Sequence, residues 1–123
     1  MVRVGITGLG SSLGEVVVKN EDLEGMVNTA NEWIVGRTGI RERRIASETQ
    51  PLPVSMSTSV YFTLEDASLR REDIDYALVA TNGTDPMIVP QLASRVQYLT
   101  GLRKIFSCDA QAGCSGASYA IEI

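Results

Sequence analysis

From Tyr76 onward the sequence alternates short apolar runs with helix-length stretches. Tyr76 to Thr81 is apolar, a loop containing Asn82, Gly83, Asp85 and Pro86 follows, Pro90 to about Leu99 has helical character, and Lys104 to Asp109 is apolar again. A short uninterrupted apolar run fits a strand covered on both faces. Strands interleaved with helices build an α/β protein around a mixed or parallel sheet. Pro90 suits the first position of the intervening helix and Gly101 the residue just past its end. A last helix is expected to open at Cys114; it carries no glycine or proline to stop it through Tyr119, Ile121 and Ile123, so the 123 residues are expected to be part of a longer polypeptide.

The earlier residues repeat the alternation less regularly. Residues 2–7 read as a strand that runs into a turn at Gly8, Gly10 and Gly14, and residues 15–18 read as another strand. Asn20 is placed to cap a helix over 21–28, whose first turn holds Glu21, Asp22 and Glu24, where the helix dipole favours carboxylates. A second short helix is predicted over 31–36, ending near Gly36 or Gly39, and Ile40 to Ile45 alternates apolar with charged residues as a strand with one wet face does. After a loop over 46–53, the spacing of Met56, Val60, Leu64 and Ala67 predicts a helix over 54–67 with those four on its core side.

Gly8-Leu9-Gly10-Ser11-Ser12-Leu13-Gly14 has the opening glycines of a dinucleotide-binding turn. Such a turn has its third glycine three residues after the second and opens a helix. Here the third glycine comes one place late and Glu15 to Val18 reads as strand, which argues against nucleotide binding.

The residue with the clearest chemistry is Cys114, in Asp109-Ala110-Gln111-Ala112-Gly113-Cys114-Ser115-Gly116. A thiol at a strand-to-helix turn lies near backbone N–H groups and the positive end of a helix dipole, which favours the nucleophilic thiolate. Gly113 and Gly116 leave room for a reactant to approach. Cys108 lies inside the apolar run and reads as packing. Two cysteines are too few for a disulfide scaffold, and with no histidine present no zinc site is expected.

With 44% apolar residues the chain supports one modest core, and a net charge of −4 argues against a nucleic-acid surface or an anionic membrane as the main partner. Arg37, Arg41, Arg43 and Arg44 nonetheless cluster; on residue type alone they read as a solvated strand face. No apolar stretch approaches the roughly 18 residues needed to span a bilayer, and a signal-peptide pattern is not seen, so a cytoplasmic protein is expected.

Two segments together carry a family resemblance. Asn28-Thr29-Ala30-Asn31-Glu32-Trp33-Ile34-Val35-Gly36-Arg37-Thr38-Gly39-Ile40-Arg41-Glu42-Arg43 resembles the CoA-binding region of β-ketoacyl-acyl-carrier-protein synthase III. The Cys114 run resembles that family's nucleophile turn, and the likeness continues through Pro90, Ala93, Val96, Gln97, Leu99 and Gly101. The resemblance implies a thiolase-like fold of two similar halves, of which residues 1–123 are the first, truncated within the nucleophile helix. It implies acyl transfer from acyl-CoA to Cys114, then decarboxylative condensation with malonyl-acyl carrier protein, with no permanently bound cofactor. It also implies that Trp33 stacks on the CoA adenine, that Arg37 lies near the CoA phosphates with Thr29 in the same pocket, and that Val89 reaches across a homodimer interface to the partner's acyl pocket. Phenylalanine stands at the Val89 position in some members, so the smaller valine implies tolerance of acyl groups larger than acetyl. The family often has proline where Gly14 stands and aspartate where Asn31 stands. Its histidine and asparagine for decarboxylation come from the second half, which is expected elsewhere, in a longer chain or a separate one. Readings that stay open are a related thiolase-fold acyltransferase, a hydroxymethylglutaryl-CoA-synthase-like enzyme, or a non-catalytic dimerisation module.

Overall fold

The structure, a computed structural model, describes residues 5–82 and 89–123. Its strands form two two-stranded ladders, so the expected mixed set of strands is present as two pairs among the described residues. Strands β1 (Val16–Lys19) and β2 (Glu42–Ile45) pair antiparallel, Val16 opposite Ile45 and Lys19 opposite Glu42. Strands β3 (Tyr76–Ala80) and β4 (Phe106–Ala110) pair parallel, Tyr76 beside Phe106 and Ala80 beside Ala110. Parallel neighbours need a crossover, and here it contains α4 (Leu92–Thr100), which packs on both strands and in which Leu92, Ala93 and Val96 are buried. On α4 lies α3 (Leu52–Ala67). The remaining helices are α1 (Asn20–Glu24) and α2 (Asn31–Thr38), which pack on each other, and α5 (Gly116–Glu122), which packs on β3 and β4.

Several expectations change in detail. Residues 2–4 of the first predicted strand lie outside the described residues, and 5–7 are not in a strand. Within the loop expected after Thr81, Gly83, Asp85 and Pro86 also lie outside them. Helix α3 starts two residues earlier than predicted, at Leu52 with Pro53 buried in its first turn, where a missing N–H costs no helical bond. Helix α4 starts after Pro90 rather than on it, with Gln91 as N-cap. Tyr76 is exposed and the rest of β3 is half-buried, because the described residues cover that strand incompletely. Cys108 is likewise half-buried. Gly101 does end α4, in the left-handed conformation expected of it. Between α3 and β3, the turn Arg71–Asp73 is closed by Arg70, whose guanidinium and backbone N–H both donate to Asp73. The side-chain bond first, then the backbone one, holds the exposed Asp73 carboxyl below its usual range.

The glycine run has a packing purpose. Residues 8–14 form neither helix nor strand. They lie along α3, with the Leu9 N–H donating to Asp66 Oδ2 at 2.9 Å and Ser55 Oγ donating to Ser12 Oγ at 3.0 Å. A Cβ on Gly8 would stand 2.6 Å from that of Ala67, and one on Gly10 would collide with Ser59 O and Thr63 N of the helix backbone. Gly10→Ala is therefore expected to cost about 1–3 kcal/mol through overpacking. Its urea midpoint should fall, and a midpoint equal to wild type would show that this backbone does not press on α3.

Candidate functional site

Helix α2 presents the first group of predicted residues. Ala30 precedes it and has no side-chain oxygen to cap it; Glu24, the last residue of α1, supplies Oε1 to the Asn31 N–H at 2.7 Å instead. A carboxylate there also complements the helix dipole. Ile34 faces inward and is buried, while Gly39 ends the helix with its N–H on Val35 O. Trp33 and Arg37, four residues apart, share the outer face. The indole is 61% exposed, and the Arg37 guanidinium carbon lies 6.0 Å from its ring centroid. A flat π face beside a charged fork is suited to a planar base attached to phosphate. Thr29 is half-buried two residues ahead of the helix.

Behind this helix lies Asn20, which differs from its predicted role. It is the first residue of α1 rather than its cap, α1 ends at Glu24 rather than 28, and the cap residue is Lys19. The Asn20 side chain is fully buried. Its Nδ2 donates to Asn31 Oδ1 and to the Ile40 carbonyl, both at 2.9 Å, and its Oδ1 accepts from Arg43 at 2.7 Å. The basic cluster thus divides. Arg43 turns inward to Asn20 and the Val18 carbonyl, while Arg37, Arg41 and Arg44 are exposed, Arg44 loosely paired with Glu42 at 3.9 Å. The Asn20–Asn31 bond explains one departure noted in the sequence. Position 31 needs only an acceptor here, and aspartate provides one as well as asparagine.

Cys114 stands on a separate element. It occupies a single 3-10 turn, Gly113–Ser115, just ahead of α5 rather than inside it, and its side chain is exposed. Gly116 begins α5 and is buried; a Cβ there would lie 3.1 Å from the Ala110 carbonyl and 3.5 Å from the Ala80 Cβ. Ala80 and Ala110 are the last residues of the paired strands. The absent side chain lets α5 start directly against the strand ends, which sets the thiol at the carboxyl end of a parallel pair, where open α/β sheets place their ligands.

Val89 is 80% exposed and lies three residues before α4. Sequence reasoning missed the residue that anchors this helix. Asp109, near the end of β4, accepts the Leu92 N–H on Oδ2 at 2.9 Å and the Ala93 N–H on Oδ1 at 2.7 Å. The available signal was negative: Gln91 makes no side-chain cap, which leaves the buried N-terminus of α4 in need of an acceptor from elsewhere. The structure thus joins Trp33 to Arg37 on one helix and places Cys114 and Val89 on segments flanking β4 and α4. Among the described residues, no helix is long and apolar enough to cross a membrane.

No family model matches the chain. Among curated proteins, β-ketoacyl-[acyl-carrier-protein] synthase III of Brucella anthropi is 42% identical over 121 residues, covering 98% of this chain and 37% of that protein. The Brucella canis protein of the same name is 43% identical over the same extent. Among solved structures, 3-oxoacyl-[acyl-carrier-protein] synthase III from Aquifex aeolicus VF5 superposes with a TM-score of 0.86 at 37% identity, over 95% of this chain and 37% of that one. The Thermus thermophilus synthase III gives 0.82 at 39% identity, over 97% of this chain and 36% of that one. The chain spans little more than a third of the length of these relatives. Over that extent, the chain is similar in sequence and architecture to part of the β-ketoacyl-[acyl-carrier-protein] synthases III, with the thiolase-like fold they share.

Proposed function

We propose that the protein carrying these residues is a condensing acyltransferase of fatty acid synthesis, with Cys114 as its acyl acceptor. In the first step the Cys114 sulfur attacks the thioester carbonyl of acyl-CoA, a new S–C bond forms, and CoA leaves as its thiolate. In the second, malonyl-acyl carrier protein loses carbon dioxide, and the resulting carbanion takes the acyl group and releases the Cys114 thiolate. The observation that carries this reading is the exposed thiol at the strand ends, held there by the buried Gly116. Trp33 and Arg37 support it as a face for the adenine and phosphates of CoA, with Thr29 beside them.

The second step draws on groups outside these residues, since the chain contains no histidine. We assign those groups to a second half, carried in a longer chain or as a separate one, and the working form to a cytoplasmic homodimer. The exposed Tyr119, Ile121 and Ile123 on and just after α5 are consistent with a covering partner. The decisive experiment is intact mass after incubation with acetyl-CoA. A protein heavier by about 42 Da, with the adduct mapped to Cys114, is expected from thioester exchange; an unmodified Cys114 would reject the reading.

Val89 sets a second expectation. In the homodimer its small side chain leaves space in the partner's acyl pocket, so acyl-CoAs longer than acetyl are expected as substrates. Val89→Phe should lower kcat/KM for a branched four-carbon acyl-CoA by about tenfold or more relative to acetyl-CoA, by filling that space. A strict acetyl preference in the unsubstituted protein would contradict the assignment.

A further inference from the structure

We propose that Asn20 is a positioning residue for CoA recognition, holding both ends of α2 with one buried amide. The inference rests on the reading of α2 as the CoA-binding helix. Asn20 is 0% exposed, and each polar atom of its side chain is engaged. The two N–H bonds of Nδ2 diverge. One goes to Asn31, the first residue of α2, and the other to the carbonyl of Ile40, the residue after the Gly39 that ends it. The Gly39 turn is left-handed, φ 73°, and brings the chain back so that a single nitrogen serves both points. Arg43 closes the arrangement from β2 by donating to Asn20 Oδ1 and to the Val18 carbonyl of β1.

These bonds restrain what little else anchors the helix. Of its residues only Ile34 is buried, and its outer face is given over to Trp33 and Arg37. A short helix with one buried side chain keeps its direction through polar contacts at its ends. Two groups that must meet a base and a phosphate together lose affinity when their helix tilts, even though neither has been altered. Asn20 therefore acts on CoA through α2, without touching the ligand and away from the thioester chemistry at Cys114.

The test compares two thioesters in the full-length protein that carries these residues: acetyl-CoA, and acetyl-N-acetylcysteamine, which lacks the adenine nucleotide. Asn20→Asp keeps the acceptor for Arg43 and loses both N–H donors. Asn31→Ala removes one acceptor from a half-buried position and is the gentler change, and Asn31→Asp restores it. Both Asn20→Asp and Asn31→Ala are expected to raise KM for acetyl-CoA about tenfold, with kcat unchanged and with acetyl-N-acetylcysteamine used at the wild-type rate. Asn31→Asp should return KM to near the wild-type value, and Trp33→Ala should raise it like the first two. If Trp33→Ala raises KM while Asn20→Asp and Asn31→Ala do not, the role of Asn20 is overturned and the reading of α2 stands. An equal loss with both thioesters in Asn31→Ala also overturns it, because that is the signature of general disruption. Should Trp33→Ala leave KM unchanged, the reading of α2 falls and this inference falls with it.

Discussion

Replacing Cys114 by serine is expected to lower acyl uptake from acyl-CoA by about a thousandfold or more, because a neutral hydroxyl is a far weaker nucleophile than a thiolate. The geometry directs this to Cys114 and away from the other thiol. Cys114 is exposed ahead of α5, whereas Cys108 is half-buried within β4, across from Leu78. Cys108→Ser should therefore leave acyl transfer within about twofold of wild type, as expected for a small half-buried side chain inside a strand pair. Mass spectrometry after timed incubation with acetyl-CoA separates the two outcomes. An adduct that persists in Cys114→Ser, or that maps to Cys108, would refute the assignment.

The largest effect on stability is expected from Asp109→Ala. Asp109 supplies both oxygens to a helix that has no cap of its own, and the N–H groups it accepts belong to the buried Leu92 and Ala93. A hydrogen bond to a charged group contributes about 1.5–3 kcal/mol, and a buried N–H left without a partner costs more than the bond it lost. A loss of about 3 kcal/mol is expected in urea unfolding, since water reaches the two N–H groups poorly. Asparagine would be an incomplete substitute at this position, because an amide offers one oxygen acceptor and turns an NH2 group toward the second N–H. Asp109→Asn should thus fall between wild type and alanine. Equal midpoints for wild type and alanine would show that α4 holds its place without this carboxylate. The same bond ties β4, which leads to Cys114, to α4, which follows Val89, so loosening it should also broaden acyl-chain preference.

The legible features are those decided within a few residues. The alternation of β3, α4 and β4 follows from apolar runs and their spacing, and its strands fall within two residues of the expected positions. Gly101 ends its helix as predicted, and of Gly36 and Gly39, the two ends offered for the helix expected over 31–36, Gly39 is the one used, because the left-handed conformation suits glycine wherever it occurs. Trp33 and Arg37 come together because a helix brings together residues four apart, whatever surrounds it. The strand-to-helix turn that carries Cys114 was legible for a similar reason, since Gly113, Cys114 and Gly116 fall within four residues.

Other roles depended on partners far away along the chain. Asn20 has the residue type of a helix cap, and local chemistry favours that role; burial against Asn31, Ile40 and Arg43, 11 to 23 residues on, gave it another. Arg43 reads as one more charge on a wet strand until β1 and α1 close over it. The glycines at 8 and 10 resemble a phosphate turn in isolation, yet the space they leave is taken by α3, some fifty residues later. Asp109 lies 16 and 17 residues from the N–H groups it binds. Local sequence sets backbone preference and the spacing of side chains along an element; which buried donor meets which acceptor is settled when the elements pack, because a polar group removed from water takes whatever partner the assembled chain brings within reach.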